Sequence, residues 1–490
     1  MGRRACRGAK NKGEKPGRGG KKGWSRDSSL KPGRPKAANR ERFMKGLSGF
    51  HRAAGLCAAL AFGLAAAPAD AQTATFNLLH TFCRDDGCTD GQFPSGTLAV
   101  DPSHNIFGTT KAGGEHGGGV LYELVYVPDT ATYRYKRIYN FCTIVGCTDG
   151  TNPGNDRLII DANGTIYGTT TGGGPSGNGV VFELVPNEAH SRYVYHVIYE
   201  FCVEFSGCED GAQPTGSLTF NGEATGGTYD GVSPLYGTTT GGGRKHQGVA
   251  YSLVPPATEG DMGTHKLLYF FCTLGRNACT DGAAPSGNMV VDRNGNLWGT
   301  AMSGGIDNAG VIFKLTPTQS GKWAESTPYQ FCFVAGCTDG MTPVNGLIAD
   351  SSGDFFGTTA TGGLNYAKCA DTGCGVIFKI TTSNKESTVY SFCSQADCVD
   401  GGAVQGLTVD PDENFYGVAT VGGSKNGGMF FKLTGTTMNE LIRLKCKRKC
   451  TMGENPSGAL IINANDDLFG VFSDGGRYGD GGTVFKLSQE

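Results

Sequence analysis

A tandem repeat constrains this chain more than any other feature. The stretch from Phe331 to Ile380, FCFVAGCTDGMTPVNGLIADSSGDFFGTTATGGLNYAKCADTGCGVIFKI, sets out its grammar. It reads Phe-Cys, a second Cys, Thr-Asp-Gly, Pro, Gly, an apolar strand ending in Asp, an aromatic residue before Gly-Thr-Thr, Gly-Gly, and a closing strand. Seven copies are marked by the glycines that follow Phe107, Tyr167, Tyr236, Trp298, Phe356, Tyr416 and Phe469. In the fifth copy, four short segments carry strand chemistry: Gly346 to Asp350, Asp354 to Thr359, Gly375 to Ile380 and Ser387 to Phe392. They are rich in β-branched and aromatic residues, with Gly, Asn and Asp between them. Links such as Asp350-Ser-Ser-Gly-Asp354 and Asp292-Arg-Asn-Gly-Asn296 supply the residues that tight hairpins need for positive φ. Each unit therefore reads as a four-stranded antiparallel meander.

One such sheet is too small to stand alone. Repeats of this length predict an all-β fold, a seven-bladed β-propeller of four-stranded antiparallel blades. The competing arrangement, a linear β-solenoid, wants shorter and more uniform turns with capping ends. The termini favour the ring. The last strand, Gly481 to Leu487, lacks an outer partner, while Ala74 to Phe82 precedes the first complete unit and matches an outer strand such as Val194 to Phe201. Pairing the two closes the ring through the N-terminal strand.

Residues 1–43 differ from everything after them: Arg, Lys, Gly and Pro dominate, and no apolar pattern is present to bury a core. This segment is expected to be a disordered basic extension or to precede the true start at Met44. A nucleic-acid-binding arm is the rival reading. Residues 44–71 have a basic start, an apolar run from Ala53 to Ala67 and the ending Ala69-Asp70-Ala71. Those are the three parts of a secretory signal peptide, with cleavage expected after Ala71 and a secreted or periplasmic destination. The apolar run is shorter than the roughly 20 residues of a membrane span, so no transmembrane segment is expected in the mature chain, residues 72–490. Residues 1–71 carry 17 of the 43 basic residues and 4 of the 45 acidic ones, which leaves 26 against 41 and a formal charge of −15. An acidic surface argues against nucleic acid or anionic lipid as the main partner, since both need positive potential.

Sixteen of the 18 cysteines fall into eight close pairs: Cys83/Cys88, Cys142/Cys147, Cys202/Cys208, Cys272/Cys279, Cys332/Cys337, Cys369/Cys374, Cys393/Cys398 and Cys446/Cys450. Even number, close spacing and export together predict disulfides. Zinc is the alternative, but no Cys-x-x-Cys spacing occurs, and further ligands would have to come from another repeat.

The pattern FCxxxGCTDGxxPxGxLxxDxxGNxYGTTxxGGxxxGGVxFxL resembles the GloVer-type tandem repeat of exported bacterial proteins called choice-of-anchor, over residues 76–490. The resemblance implies an exported, propeller-like protein and brings no catalytic residues with it. Two departures stand out. The sequence stops at Leu487-Ser-Gln-Glu490 with no apolar tail or sorting signal, which leaves a surface anchor open, and the seventh unit has Cys446-Lys-Arg-Lys-Cys450-Thr-Met-Gly in place of Cys-Thr-Asp-Gly.

A residue repeated in every blade is expected to hold blades together, because a binding site usually needs unequal groups. Asp90, Asp149, Asp210, Asp281, Asp339 and Asp400 precede the first strands of their units. Six carboxylates around a channel would attract a cation; the simpler expectation is that each accepts backbone N–H bonds and fixes its turn. No cofactor is expected beyond that possible channel cation, and no metal ligands are assigned. Asp292-Arg-Asn-Gly-Asn296 partly mimics a calcium loop but lacks the distant bidentate Glu. Gly172 to Gly177 fits G-x-G-x-x-G, yet a strand rather than a helix follows, so nothing is there to hold a pyrophosphate. Motifs of the common enzyme classes are missing from the sequence.

The unequal features lie in the Gly-Gly loops, which the meander places on the same face as the Cys loops. The candidates for ligand binding are His116, Arg244, His246, Tyr366, Lys425, Arg477 and Tyr478. Asn365 to Cys374, and the basic cluster Lys445, Lys447, Arg448 and Lys449, add further unrepeated features, and Asn221 to Pro234 is an insertion on the opposite face. Tyr and Arg at a rim, with His, suit sugars or protein carboxylates. The expected function is that of an exported, non-enzymatic and monomeric propeller binding an extracellular glycan or protein. A polysaccharide hydrolase or lyase with carboxylates at the channel mouth and a structural envelope protein are the alternatives.

Overall fold

The computed structural model describes residues 74–154, 157–203, 207–275, 278–364, 369, 372–423, 427–444 and 450–489, all within the unit Ala66–Glu490. The segments 1–43 and 44–71, with the expected cleavage point, lie outside the described residues. The described chain is all-β, its helices being four three-residue 3₁₀ turns. None of them is long and apolar enough to cross a membrane.

Seven four-stranded meanders follow one another. Sheet 1 consists of Gln92–Val100, Ile106–Ala112, Val120–Val127 and Thr132–Asn140, each antiparallel to the next. Sheets 2 to 6 repeat this order, the first strand being split into Thr151–Pro153 and Ile159–Ile160 in sheet 2 and into Ala212–Pro214 and Thr219–Phe220 in sheet 3. They end in the outer strands Tyr193–Glu200, Thr264–Phe270, Trp323–Gln330, Glu386–Ser391 and Thr437–Arg443. Sheet 7 takes Glu454–Ile462, Leu468–Asp474 and Thr483–Ser488 from the C-terminal end and Thr75–Thr81 from the other, with Phe76 opposite Leu487. The pairing expected between the two ends of the repeat region is therefore present. Sheets 4 and 5 are also joined by a parallel bridge between Asn288 and Gly346.

The first strand of sheet 5, Met341–Ala349, starts five residues before the expected Gly346. A register shift between Val344 and Ile348, with φ of 63° at Asn345 and 75° at Gly346, lets the chain pair on both sides of a bulge. Sequence pattern reads the bulge as a strand start because a bulge interrupts alternation.

The spaces between sheets are filled by apolar side chains from both neighbours. Between sheets 4 and 5, Trp298 and Ile312 pack with Phe331, Phe355, Val376 and Phe378. Backbone contacts fix the spacing. Asn152 N donates to Gly118 O, Gln213 N to Asn178 O, Ala284 N to Gln247 O, Thr342 N to Ala309 O and Ala403 N to Cys374 O. Phe93 N donates to Gly481 O at 3.0 Å, so sheet 1 meets sheet 7 through the same bond that joins consecutive sheets. The approach is close: at Gly248 (φ 95°) a Cβ would lie 2.1 Å from Thr239 O and 2.8 Å from Pro285 Cδ of the next sheet. A methyl group there has backbone on one side and a rigid ring on the other. Gly248→Ala is expected to cost at least about 2 kcal/mol, combining the left-handed strain with a clash that cannot relax; a denaturation midpoint equal to that of the parent protein would contradict this.

In five of the six Phe-Cys pairs the Phe is preceded two residues earlier by a Tyr, with His80 in that place in the first, and the Tyr clamps the following turn. The hydroxyls of Tyr139, Tyr269, Tyr329 and Tyr390 donate to Oδ2 of Asp149, Asp281, Asp339 and Asp400 at 2.7–2.9 Å. The next sheet covers each clamp. Tyr195 stacks on Tyr139 with ring centroids 4.1 Å apart, and His265 stacks on Tyr199 at 4.3 Å. In sheets 4 and 5 the covering position holds Glu325 and Glu386. Burial pushes both carboxyls up to about 7; the charge of Asp281 adds to the shift at Glu325, against a hydrogen bond from Thr327, and that of Asp339 adds to it at Glu386. A carboxyl raised in this way binds more protons folded than unfolded between its ordinary pKa of about 4.3 and 7, so its contribution to stability is lost as pH rises through 7. Burial lowers His265 to about 4, which acts in the opposite sense below about pH 6.5. The Glu325→Gln/Glu386→Gln protein is therefore expected to gain melting temperature relative to the parent as pH rises from 5 to 8, where parallel curves for the two proteins would contradict the assignment.

Candidate functional site

Two loops of each unit meet at one end of its sheet. The carbonyl of the second cysteine accepts the N–H of the Gly three residues on, and also that of the second Gly of the Gly-Gly bend: Gly91 N and Gly114 N donate to Cys88 O, and Gly340 N and Gly363 N to Cys337 O. The same pair of bonds recurs on Cys147, Cys208, Cys279, Cys398 and Cys450. The expected common face of Cys loops and Gly-Gly loops is thus built by one bifurcated acceptor per unit. Disulfides join Cys83–Cys88, Cys142–Cys147, Cys202–Cys208, Cys272–Cys279, Cys332–Cys337, Cys369–Cys374 and Cys393–Cys398. Cys446, of the eighth expected pair, lies outside the described residues. Both cysteines of the loop bridges have positive φ, for example 62° at Cys332 and 51° at Cys337, a conformation that non-glycine residues hold only when the surroundings impose it. A Cys332→Ser/Cys337→Ser protein is expected to lose at or below about 3 kcal/mol, as for a bridge closing a short loop, and to keep its sheets; urea denaturation compared with the parent checks this, and a loss of zero would contradict a stiffening role.

The six repeated aspartates belong to these turns. Asp281 Oδ2 accepts from Thr273 N and Oγ1 as well as from Tyr269, and Oδ1 accepts from Leu274 N. Asp149, Asp210, Asp281, Asp339 and Asp400 are buried. None of the six lines the cavity described below. The carboxylates of Asp90, Asp149, Asp281 and Asp400 each accept two backbone N–H groups of the turn, and those of Asp210 and Asp339 accept one. Asp292 is likewise occupied, accepting from Asn294 N, Asn296 N, Asn296 Nδ2 and Trp298 Nε1.

Of the ligand-binding candidates, His116, Arg244, His246, Arg477 and Tyr478 are exposed at the tips of the Gly-Gly loops of sheets 1, 3 and 7. Arg244 lies with its guanidinium 4.6 Å over the ring of Phe270, and His246 holds its turn with φ 55° and N–H on Gly243 O. The five are spread over three sheets, and none lines either cavity described below. Tyr366 and Lys425 lie outside the described residues, as do Lys445, Lys447, Arg448 and Lys449.

The same end carries a feature that charge-centred sequence reading passes over. Apolar side chains project from the Cys loops before sheets 2 to 5: Ile144, Val145, Val203, Leu274, Phe333 and Val334. Val145 is 96% and Phe333 73% exposed, where an apolar residue would ordinarily be buried. The loop before sheet 1 carries Arg84, Asp85 and Asp86 instead, and the loop before sheet 6 carries Ser394, Gln395 and Asp397 at its tip, with the exposed Val399 after its second cysteine. The apolar tips therefore form a run over four consecutive loops.

A second constellation lies inward. A cavity of about 350 Å³ is lined from all seven units by the residue that precedes each buried Leu or Met of the first strand: Thr97, Arg157, Ser217, Asn288, Gly346, Gly406 and Ala459. Six of these are small or uncharged. Arg157 is the exception, and its Nη2 pairs with Glu223. Glu223 opens the 3₁₀ turn Glu223–Thr225 inside the insertion Asn221 to Pro234. That insertion folds over the Asp turn of sheet 2, with Ala162 N donating to Tyr229 O at 3.2 Å, so it lies at the end opposite the Cys loops, as expected. Arg157 and Glu223 also line a wider cleft of about 810 Å³ there, together with Asp101, Glu123, His190 and Tyr193. Aligning the seven units on their Leu or Met would have exposed Arg157; the extra residue in its repeat, Pro153-Gly-Asn-Asp-Arg157-Leu158, hides it.

The superposition with the crystal structure of the extracellular domain of a putative one-component system from B. thetaiotaomicron has a TM-score of 0.49 at 10% identity, covering 85% of this chain and 42% of that one. The chain thus spans less than half the length of that protein. No curated protein matches the sequence. The Gloeobacter/Verrucomicrobia repeat matches twice, over residues 68–234 and 224–485. With nearly the whole repeat region covered by these two matches, the chain belongs to the Gloeobacter/Verrucomicrobia repeat family.

Proposed function

We propose that this protein is an exported, non-enzymatic β-propeller whose Cys-loop end binds an extracellular protein. Ring closure is supported by the strand Thr75–Thr81 pairing with Thr483–Ser488 and by the Phe93–Gly481 bond that repeats the contact between consecutive sheets. A third support is the Ala459 N–H bond to Thr97 Oγ1 at 3.0 Å, between residues 362 apart in sequence. Export is supported by the disulfides, which persist in oxidising compartments, and by the signal-peptide pattern of residues 44–71 with cleavage after Ala71.

The observation that carries the binding reading is the run of apolar tips. Exposed apolar patches on a soluble surface mark protein or membrane contacts, and a formal charge of −15 for residues 72–490 disfavours an anionic membrane. Of glycan and protein, tips that are aliphatic apart from Phe333 suit a protein. Disulfide loops hold the tips in place, so little freedom is lost on docking. His116, Arg244, His246, Arg477 and Tyr478 supply a polar rim around the apolar run, the arrangement of an interface core and its border.

A photoreactive amino acid at position 333 or 145 in cells of the source organism is expected to give one discrete protein adduct, while the same label at Asn294, in an Asp turn at the other end, gives none. Phe333→Ser should weaken capture by roughly 30-fold, since a fully buried Phe side chain contributes about 2 kcal/mol, and leave the melting temperature unchanged because the residue is exposed. Adducts at both ends, or none at position 333 together with specific retention on a glycan array, would overturn the reading.

A further inference from the structure

We propose that Cys369, Cys374, Cys393 and Cys398 form a thiol–disulfide exchange site, which accepts two electrons from an external dithiol and moves the bridge that remains to Cys374–Cys393. The inference does not rest on the binding reading, because it concerns the chemistry of the bridges and not the contacts of the loop tips.

Two observations meet at this place. The first is the position of Cys374. The residue whose carbonyl takes an N–H of the next sheet is Gly118, Asn178, Gln247, Ala309 and Gly481 in five other units, and Cys374 in the fifth. That position lies against the first cysteine of the following Cys loop. A Cβ at Gly118 would lie 2.7 Å from Cys142 Cβ, and one at Gly481 would lie 2.5 Å from Cys83 Cβ. In the fifth unit the side chain at this point is itself a cysteine, and the backbone holds it in line with Cys393. Val376 lies opposite Ser391, Phe392 N donates to Gly375 O at 3.1 Å, and Cys393 N donates to Gly401 O at 3.0 Å.

The second observation is the sulfur geometry. The Sγ atoms of Cys369, Cys374 and Cys393 all lie within 4.8 Å of one another, a grouping found nowhere else among the described residues. Since Cys369 is bridged to Cys374 and Cys393 to Cys398, two disulfides stand side by side. Reacting atoms approach to about 3–3.5 Å before attack, so sulfur movement on the order of 1–2 Å brings a thiolate at Cys374 onto Cys393. Burial sets the direction. Cys374 and Cys393 are 1% and 0% exposed and pack with Phe392, Val404 and Phe431, whereas Cys369 and Cys398 are partly exposed. An apolar setting disfavours a thiolate. Joining the inner pair leaves the free thiols on the outer cysteines, where water solvates them.

A thiolate of the dithiol attacks Cys369 Sγ, the Cys369–Cys374 bond breaks, and its electron pair stays on Cys374. The second sulfur of the dithiol displaces Cys369 and the reagent leaves as a disulfide. Cys374 Sγ then attacks Cys393 Sγ, the Cys393–Cys398 bond breaks, and its electron pair passes to Cys398. Cys369 and Cys398 take up the two protons that the dithiol gave up. One dithiol is oxidised and one protein bridge reduced, while the surviving bridge ties the closing strand of sheet 5 to the Cys loop before sheet 6.

The test is graded reduction of the intact folded protein with dithiothreitol at about pH 8, where a thiol of pKa about 8.5 is partly ionised, followed by trapping with N-ethylmaleimide and peptide mass spectrometry. From the lowest concentration at which Cys369 is alkylated, peptides joined through Cys374–Cys393, with Cys369 and Cys398 alkylated, are expected to exceed the form alkylated on Cys369 and Cys374 by at least about threefold. In the Cys369→Ser/Cys398→Ser protein, Cys374 and Cys393 are expected to bridge on air oxidation, leaving no reactive thiol at either position. Near-ultraviolet circular dichroism confirms folding of that variant, and the graded reduction decides the matter on the unaltered protein if the variant does not fold. Alkylation of these cysteines only in their original pairs at every dithiothreitol concentration, or free thiols at both Cys374 and Cys393 in the folded double variant, overturns the proposal.

Discussion

Successive sheets approach so closely that the residue opening each closing strand has no room for a Cβ. At Gly248 the space is taken by the carbonyl of Thr239 on one side and the ring of Pro285 on the other. Gly482 meets Pro94 in the same manner, though the two are separated by most of the chain. Around this contact the rest of the unit is arranged. The Pro that closes it is followed by the bulge that turns the first strand inward, and the Gly is preceded by the bend whose N–H groups seek the second cysteine's carbonyl. The disulfide and the Asp turn then hold that carbonyl in position. Most of the letters that make the repeat recognisable are accounted for by this one approach distance and its supports.

That accounting explains how much of the structure was legible. Four strands per unit, the Asp hairpins and the pairing of Ala74 to Phe82 with the last strand follow from alternation, turn chemistry and counting. The start of the first strand was misread in sheet 5 because Asn345 and Gly346 form a bulge, which looks like a turn in sequence. The candidate site was less legible. His116, Arg244, His246, Arg477 and Tyr478 are exposed where the loop argument put them, but none of them lines either of the two cavities. Phe333 and Val145 were overlooked because apolar letters next to cysteines read as core. Arg157 was overlooked because its unit carries an extra residue just before it, which displaces it from its equivalents.

Function, in this account, lies in departures from the repeat. A sevenfold motif can hold a ring together, yet identical groups around an axis give a ligand seven equal choices and little orientation. The run of apolar tips from the loop before sheet 2 to the loop before sheet 5 breaks the equivalence at one end. Arg157 with Glu223 breaks it in the interior. Both are carried by segments free of the spacing constraint: the tip of a loop already closed by a bridge, and the position facing the cavity. The repeated aspartates, which attract attention first, are held by their own turns.

The claim on which the others depend is that the seven sheets form one closed ring, with the strand Thr75–Thr81 as the outer strand of sheet 7. Native-state hydrogen exchange of that strand tests it most directly, since a paired strand opens only with the unit it belongs to, whereas a loose N-terminal segment exchanges almost at once. The account predicts that the amides of Thr75–Thr81 bonded to Thr483–Ser488 are protected to the same order as those of the outer strand Tyr193–Glu200. Exchange of the Thr75–Thr81 amides at the rate of an unstructured peptide, with Tyr193–Glu200 protected, would contradict it.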